Sequence, residues 1–555
     1  MKAQRIWVWL LGSYLLLVAI GLWVRPLMPV DETRYATVAW EMWSRGDFLL
    51  PHLNGQPYDH KPPLLFWLVA AGWWALGADS VWLRLLGPLL TVANVVLLSR
   101  LAARLWPERP PVRWLAPVVF LGAWYVALYS TGLMFDMLLL LFVLCAWLAL
   151  WHAAEQPRML RFAVLGACVG MGMLAKGPVA LVYTLPLALL APWWHLQAAP
   201  FARRRWYIGV VLALAVACVI PLAWLGSIAA QADGTYLWKV IWEQTAGRVS
   251  GEMGHGRPIW WYLPLLPIVS LPWIVWPPAW RAVANARAAP AEPGSRFVLA
   301  GGASALVVLS LVGGKQVHYL LPILALASAY LARRLVDPAL ARPPTTADDL
   351  PIAALMSPLP LLLALVWATR QGASLPPWVA TISIPLALLP ALVGLSLIAR
   401  ENRGIVPATV GVGVAGLQFT AITLLAVMQA ARPYYDLENA ARFIAVQQDL
   451  GRPVAFVGAH YQGEFGYFGR LRAPIATIET DAVDAWVDLH RDGLIVVRRK
   501  RLQRDDGLRV EWSQPYKSDE LLIFGADQIR EDRATFIDRP TRSPAAPAGS
   551  ARGGP

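Results

Sequence analysis

Residues 6–24, IWVWLLGSYLLLVAIGLWV, run directly into Arg25-Pro26 and then into Asp31-Glu32-Thr33-Arg34-Tyr35. An apolar run of about 19 residues is long enough to cross a bilayer as a helix. The block behind it therefore sits at a membrane surface, where two adjacent carboxylates and an arginine need a reason to be. Gly46-Asp47, Asn54-Gly55 and Tyr58 follow, and then Lys61, locked before Pro62-Pro63. A solvated loop between two helices with no chemical role would also be polar, so spacing alone leaves both readings open.

The rest of the chain carries the same apolar signature. Of its 555 residues, 57% are hydrophobic and only 15% are charged, which places it outside soluble globular composition. The 29 tryptophans suit a headgroup-level belt. A net charge of +13 does not call for nucleic acid, because cytoplasmic loops of membrane proteins collect Lys and Arg. Cys145, Cys168 and Cys218 all fall in apolar runs and suggest neither a disulfide framework nor a zinc site. The N-terminus resembles a signal peptide, but its long apolar run lacks a small-residue cleavage site, so it reads as a retained first helix.

With the N-terminus taken as cytoplasmic, the arginines fall on the inner side if the spans are 6–24, 82–105, 114–131, 137–154, 162–175, 178–195, 206–226, 259–280, 297–312, 317–332, 352–368, 377–398 and 405–428. Residues 64–77 then lie flat or re-entrant at the outer interface. The count is about thirteen spans. It also gathers Asp31, Lys61, Asp136, Lys176, Glu243, Arg248, His255, Lys315 and His318 at the external face, which was not an input to it. A transporter predicts ionisable groups near the bilayer midplane and repeated halves, and neither pattern stands out.

Three regions follow: a membrane region over 1–430, a small α/β domain over 431–537, placed outside the cytoplasm by parity, and a Pro/Ala/Gly/Ser-rich disordered tail over 538–555. In the second, 436–450 and 481–490 have helical spacing, while 454–457, 494–497 and 521–524 read as strands.

An external-face site of this composition suits transfer from a lipid-phosphate donor. A carboxylate can act as base toward an acceptor, while Lys and Arg hold a phosphate leaving group whose charge grows as its bond to a sugar breaks. Lys61 is rigidly presented by the prolines that follow it, although an interfacial lysine snorkelling to the headgroups would look similar. Asp136, Lys176, Glu243 with Arg248, His255, and Lys315 with His318 and Tyr319 occupy the mouths of later helices. No metal-ligand spacing and no Gly-rich nucleotide loop is present.

The blocks Asp31-Glu32-x-x-Tyr35-Ala36, Gly46-Asp47, Pro51, Asn54-Gly55-x-Pro57-Tyr58 and Lys61-Pro62-Pro63-Leu64 resemble the first external loop of bacterial aminoarabinose (lipid A) transferases and related dolichyl-phosphate-mannose-protein mannosyltransferase-like proteins. Asp136, Ala175-Lys176-Gly177-Pro178, Glu243 with Arg248, and Lys315-x-x-His318-Tyr319-Leu320-Leu321-Pro322 continue the resemblance. It implies an all-α polytopic membrane protein of the glycosyltransferase C fold with a C-terminal periplasmic α/β domain, in the bacterial inner membrane. The implied activity is inverting transfer of an aminoarabinose-like pentose or a hexose from undecaprenyl phosphate. Lipid A or another envelope acceptor would receive the sugar, with no cofactor and with a divalent metal left open.

By the same resemblance Asp31 is the catalytic carboxylate, and Tyr35, Tyr58, Lys61, Arg248, His318 and Tyr319 lie near the donor phosphate. Our reading of the residues adds Glu32 and Asp136 as further catalytic candidates, Lys315 as a phosphate ligand, and Arg34, Lys176, Glu243 and His255 in the cavity. His60 departs from the acid that often precedes Lys-Pro-Pro, and Gln244 from the His that often follows the Glu. A protein O-mannosyltransferase-like enzyme and a lipid-linked sugar flippase are the competing readings.

Overall fold

A computed structural model describes residues 3–195, 202–229, 234–242, 256–284, 292–337, 343–370, 375–399, 404–458, 461–500 and 509–531. Among the described residues, seven helices are long and apolar enough to cross a membrane. Five of them are α1 (Ala3–Val24), α4 (Ser80–Leu105), α7 (Phe135–Glu155), α8 (Met159–Lys176) and α10 (Arg203–Ile228). The other two are α11 (Pro293–Leu311) and α13 (Ile405–Tyr435), the latter continuous in the apolar count with α14 (Glu438–Asp449).

Several stretches that read as single spans are broken. Residues 114–131 form α5 (Val112–Gly122) and α6 (Trp124–Tyr129), separated at Ala123, whose backbone is extended. Residues 259–280 hold only the short helix Leu265–Val269, a 3-10 turn at Trp273–Val275 and the helix Pro277–Ala284. Each of the prolines at 258, 264, 267, 272, 277 and 278 removes a backbone donor and obstructs the preceding turn, so apolar content here does not give a continuous helix. Residues 178–195 divide likewise into α9 (Val179–Leu189) and a four-residue turn.

The first charged block is a helix, not a loop. α2 (Asp31–Arg45) buries Tyr35, Val38, Ala39 and Met42, an i, i+3, i+4, i+7 stripe. Asp31 and Glu32 occupy its first turn, where the helix dipole favours carboxylates. Gly46, at φ 69°, ends it with its N–H on Trp43 O. A two-residue hairpin turn follows between β1 (His52–Leu53) and β2 (Gln56–Pro57), with Asn54 at φ 53° and Gly55 at φ 80°. α3 (Leu64–Leu76) is short, buries Leu65, Phe66, Val69 and Trp73, and leaves Trp74 and Leu76 exposed.

α7 and α8 form an antiparallel hairpin, and α8 crosses α10 closely. A Cβ on Gly166 would lie 2.4 Å from Ala213 O, and one on Gly170 2.8 Å from Ala217 O, so the glycines set the approach of the two backbones. The segment before α12 (Leu321–Leu335) carries His318 and Tyr319 as a 3-10 turn.

Beyond α13 and α14 the chain builds a mixed five-stranded sheet in the order β4-β3-β5-β7-β6. Its strands are β3 (Val454–Val457), β4 (Ala476–Ile478), β5 (Leu494–Lys500), β6 (Trp512–Tyr516) and β7 (Asp519–Gly525). Alternate residues serve opposite faces. Val454, Phe456, Leu494, Val496, Leu521 and Ile523 pack with Leu437, Ala440 and Ile444 around α14. Ala455, Ile495, Val497, Leu522 and Phe524 pack with Val483, Val487 and Ile529 from the two helices on the other side.

Candidate active site

A cavity of about 440 Å³ opens where α2, the chain entering α3, α7, α8 and the turn before α12 meet. Helical spacing in α2 turns Asp31, Arg34 and Tyr35 to one face, so a single helix contributes an acid, a cation and a phenol to the wall. Tyr58, whose N–H donates to Pro51 O, follows the hairpin, and His60 and Lys61 come just before the two prolines that start α3. Asp136, Lys176, His318 and Tyr319 close the floor.

The two candidate acids have different surroundings. Asp136 is buried and accepts from the Lys176 ammonium, from Tyr129 Oη at 2.8 Å, and lies 3.8 Å from His318 Nε2. Its side chain is 6% exposed, whereas that of Asp31 is 53% exposed. Asp31 is therefore the more accessible of the two carboxylates, and Asp136 is the counter-charge of Lys176. Asp31 accepts from Arg34 and, at 3.4 Å, from Tyr35 Oη. Burial first, and then the Asp31 charge, push the Tyr35 phenol well above its usual value, so it remains a donor.

Two lysines line the same cavity. Lys61 Nζ lies 5.9 Å from the Phe135 ring centroid, and Lys176 Nζ lies 4.8 Å from that of Tyr319. Tyr183 Oη donates to Tyr319 O at 2.9 Å and holds that turn in place.

A second, mostly apolar cavity of about 250 Å³ adjoins the first. It runs between α8 and α10 past Met173, Pro221, Leu222 and Leu225, and shares His60 and Lys176 with the main chamber.

Two residues expected in the site are occupied elsewhere. Glu32 is buried and accepts from Arg25, from Met28 N at 2.7 Å and from Leu133 N at 2.6 Å, so it ties the entry of α2 to the turn before α7. The Lys315 ammonium is buried and donates to Arg257 O at 3.1 Å and to Val312 O, pinning its own loop. Neither lines the cavity. Glu243, Arg248 and His255 lie outside the described residues. Among the described residues, no group of three or more His, Cys, Asp or Glu side chains converges.

Sequence reasoning missed Tyr129 and Gln462. Tyr129 lies seven residues before Asp136 on a different helix, with no spacing to mark it. Gln462 comes from the sheet-bearing unit, 428 residues from its partner Arg34, and its Oε1 accepts from that guanidinium at the cavity wall.

The fold defined by these elements is the glycosyltransferase C fold: the chain superposes on the crystal structure of ArnT from Cupriavidus metallidurans bound to undecaprenyl phosphate with a TM-score of 0.72 at 16% identity, covering 94% of this chain and 98% of that one. Residues 60–224 match the dolichyl-phosphate-mannose-protein mannosyltransferase family. The chain is similar to the undecaprenyl phosphate-alpha-4-amino-4-deoxy-L-arabinose arabinosyl transferase 2 of Pseudomonas fluorescens (strain Pf0-1), at 31% identity over 337 residues, 59% of each chain. It is similar also to the corresponding transferase of Erwinia tasmaniensis, at 29% over 328 residues, 58% of this chain and 57% of that one. The match thus spans under two thirds of the length of these relatives. The resemblance read from the first loop is borne out.

Proposed function

We propose that the protein is a bacterial inner-membrane glycosyltransferase that moves a sugar, an aminoarabinose-like pentose or a hexose, from undecaprenyl phosphate to lipid A or another envelope acceptor, with inversion. In this reading residues 1–430 form the catalytic membrane region of about thirteen spans. Residues 431–537 form an α/β domain at the periplasmic face, where the cavity also opens. The observation that carries the proposal is one chamber lined by the half-exposed Asp31 carboxylate together with Lys61 and Lys176, with an apolar annex that shares His60 and Lys176 with it. The annex suits a polyprenyl tail, and the Lys176 ammonium shared by the two cavities suits the phosphate that heads it.

The chemistry follows from the charges. The acceptor oxygen bonds to the sugar's anomeric carbon as that carbon's bond to the phosphate oxygen breaks, leaving undecaprenyl phosphate with one more negative charge. Lys61 and Lys176, preorganised beside it, favour that charge more than the ground state. For a hydroxyl acceptor, Asp31 takes the proton. For a phosphate acceptor, already ionised, it orients the acceptor or stabilises positive charge on the sugar ring.

Purified protein should release undecaprenyl phosphate from the glycolipid only when acceptor is present. A protein that moves the lipid between leaflets and never cleaves it is a flippase, and the proposal is lost. Mass spectrometry of lipid A from a deletion strain separates the acceptors: unchanged lipid A with altered glycoprotein favours protein O-glycosylation.

A further inference from the structure

A third cavity, of about 210 Å³, opens where α2, the β1–β2 turn and segment 461–475 meet, and it shares no lining residue with the chamber or its annex. Helical spacing puts Thr37, Glu41, Ser44 and Arg45, at i, i+4, i+7 and i+8, on one side of α2. The turn adds Asn54 and Gly55, and the later segment adds Tyr461 and Arg472. A Cβ on Gly55 would lie 3.5 Å from Pro474 Cβ and 3.6 Å from Arg45 Nη2, so the tip of the turn packs against both walls.

The acceptors of this cavity are already occupied. Glu41 is buried and takes both turn amides, Asn54 N on Oε1 and, at 3.0 Å, Gly55 N on Oε2. The Asn54 side chain exchanges bonds with Ile475 N and O, and Thr37 Oγ1 bonds Gly463 O and Tyr467 N. The cations are not so engaged. Arg45 Nη2 stays 3.6 Å from Glu41 Oε2, and its side chain is 41% exposed, a loose pair that leaves most of the five guanidinium donors open. Arg472 is exposed and makes no side-chain hydrogen bond or ion pair among the described residues.

Two guanidiniums and one carboxylate leave the lining with positive charge in excess, and an anion between like charges relieves their repulsion. Open groups that are planar charged donors suit a ligand rich in acceptors, and a guanidinium fork matches phosphate oxygens in pairs.

We propose that this cavity is an oxyanion site, in which Arg45 and Arg472 receive a phosphate group, free in solution or on a lipid headgroup, and the bound anion links α2 to segment 461–475. Tyr461 lines this cavity, and its neighbour Gln462 lines the main chamber, where it accepts from Arg34. Occupancy therefore steadies the segment that brings Gln462 to Arg34. The site involves no sugar transfer, so it stands or falls separately from the glycosyltransferase reading.

The test is the melting temperature of the full-length protein in phosphatidylcholine nanodiscs, titrated with inorganic phosphate against chloride at constant ionic strength, and repeated with increasing phosphatidylglycerol in the discs. Phosphate also stabilises proteins through exclusion from their surfaces, so saturation and the arginine variants decide the result. Wild type should show a saturating rise with inorganic phosphate if the free anion is the source, or with phosphatidylglycerol if the headgroup is. Arg45→Gln and Arg472→Gln should each shift the titration midpoint at least about tenfold, the size expected of a lost hydrogen bond to a charged group. Arg472→Lys should recover only part of that shift, because an ammonium lacks the fork. The midpoint is read within each variant, so a change in stability alone does not imitate lost binding. Lys61→Ala removes a cation of the main chamber and should leave the midpoint where it was. A saturating rise with an unchanged midpoint in both arginine variants, one abolished by Lys61→Ala, or no saturating rise with either probe overturns the proposal.

Discussion

Asp136 and Lys176, 40 residues apart in the chain, meet as a buried ion pair where α7 begins and α8 ends. The hairpin brings the two charges to one end of the bundle, and the pair then presents the lysine to the cavity beside Tyr319. Removing one partner would leave the other's charge buried without its counter-ion.

The pair therefore makes a stability prediction as well as a functional one. Asp136→Asn or Lys176→Met should each cost about 3–5 kcal/mol, the usual penalty for orphaning a buried charge. The double variant Asp136→Asn/Lys176→Met should recover much of the thermal stability in detergent and none of the transfer activity. Equal melting temperatures for wild type and both single variants would mean that the pair is not buried as described.

Asp31 should behave differently, being half exposed and held by Arg34 and Tyr35. Asp31→Asn should melt like wild type and lose transfer by about 100-fold to 10,000-fold, the range for loss of a positioned acid–base group. If near-normal activity survives, Asp136 becomes the catalytic candidate.

In the proposed reaction Lys61 acts through charge on the leaving phosphate. Lys61→Ala should slow turnover by about 100-fold to 1000-fold, as removal of one preorganised donor does elsewhere. Full turnover in a folded variant would make Lys61 an interfacial anchor only.

Glu464 supplies a pH dependence. Burial pushes its carboxyl above the usual glutamate range, so the native state holds the proton more tightly than the unfolded chain does. Stability is then lost as pH rises from the unfolded value, about 4.3, through the raised native value. Glu464→Gln, which cannot ionise, should therefore gain in melting temperature over wild type at pH 8 and gain least at pH 4. A gain that does not grow with pH would contradict the assignment.

Much of the site was legible because its residues lie in blocks whose chemistry shows in one dimension. Asp31, Tyr35, Tyr58 and Lys61 fall within thirty residues of one another, and Asp136, Lys176 and His318 stand out as ionisable groups at the ends of apolar runs. What hydropathy could not supply was helix continuity. Prolines break residues 259–280, and the stripe Tyr35, Val38, Ala39, Met42 makes a helix of a block that charge density alone presents as a loop. Nor could it show that Glu32 and Lys315 turn away to bond backbone atoms, since that depends on where distant carbonyls and amides fall. The contribution of the sheet-bearing unit had no local signal, because it depends on a contact between Arg34 and Gln462.

That contact is maintained by a joint that can itself be tested. Thr37 Oγ1, one turn beyond Arg34 on α2, donates to Gly463 O at 2.6 Å and accepts from Tyr467 N at 2.9 Å. Trp40 Nε1 donates to Leu471 O at 3.0 Å, Arg470 lies over the rings of Trp40 and Tyr467, and Tyr467 stacks on Trp73 at 5.5 Å. Asn54 closes the far end with reciprocal bonds to Ile475 N and O, both at 2.8 Å. Segment 461–475 is thus strapped along α2, and Gln462 reaches Arg34 because the strap is held. Thr37→Val keeps the shape of the side chain but leaves the buried Tyr467 amide without its partner, at about 1–3 kcal/mol, and leaves the Gly463 carbonyl only the Gly466 N–H at 3.3 Å. It should speed proteolysis after α13 and lower turnover through Arg34. Gln462→Ala, which leaves the strap intact, should lower turnover without that proteolytic change. If Thr37→Val is cut more readily yet turns over normally, the strap serves folding and the Gln462–Arg34 contact has no part in catalysis.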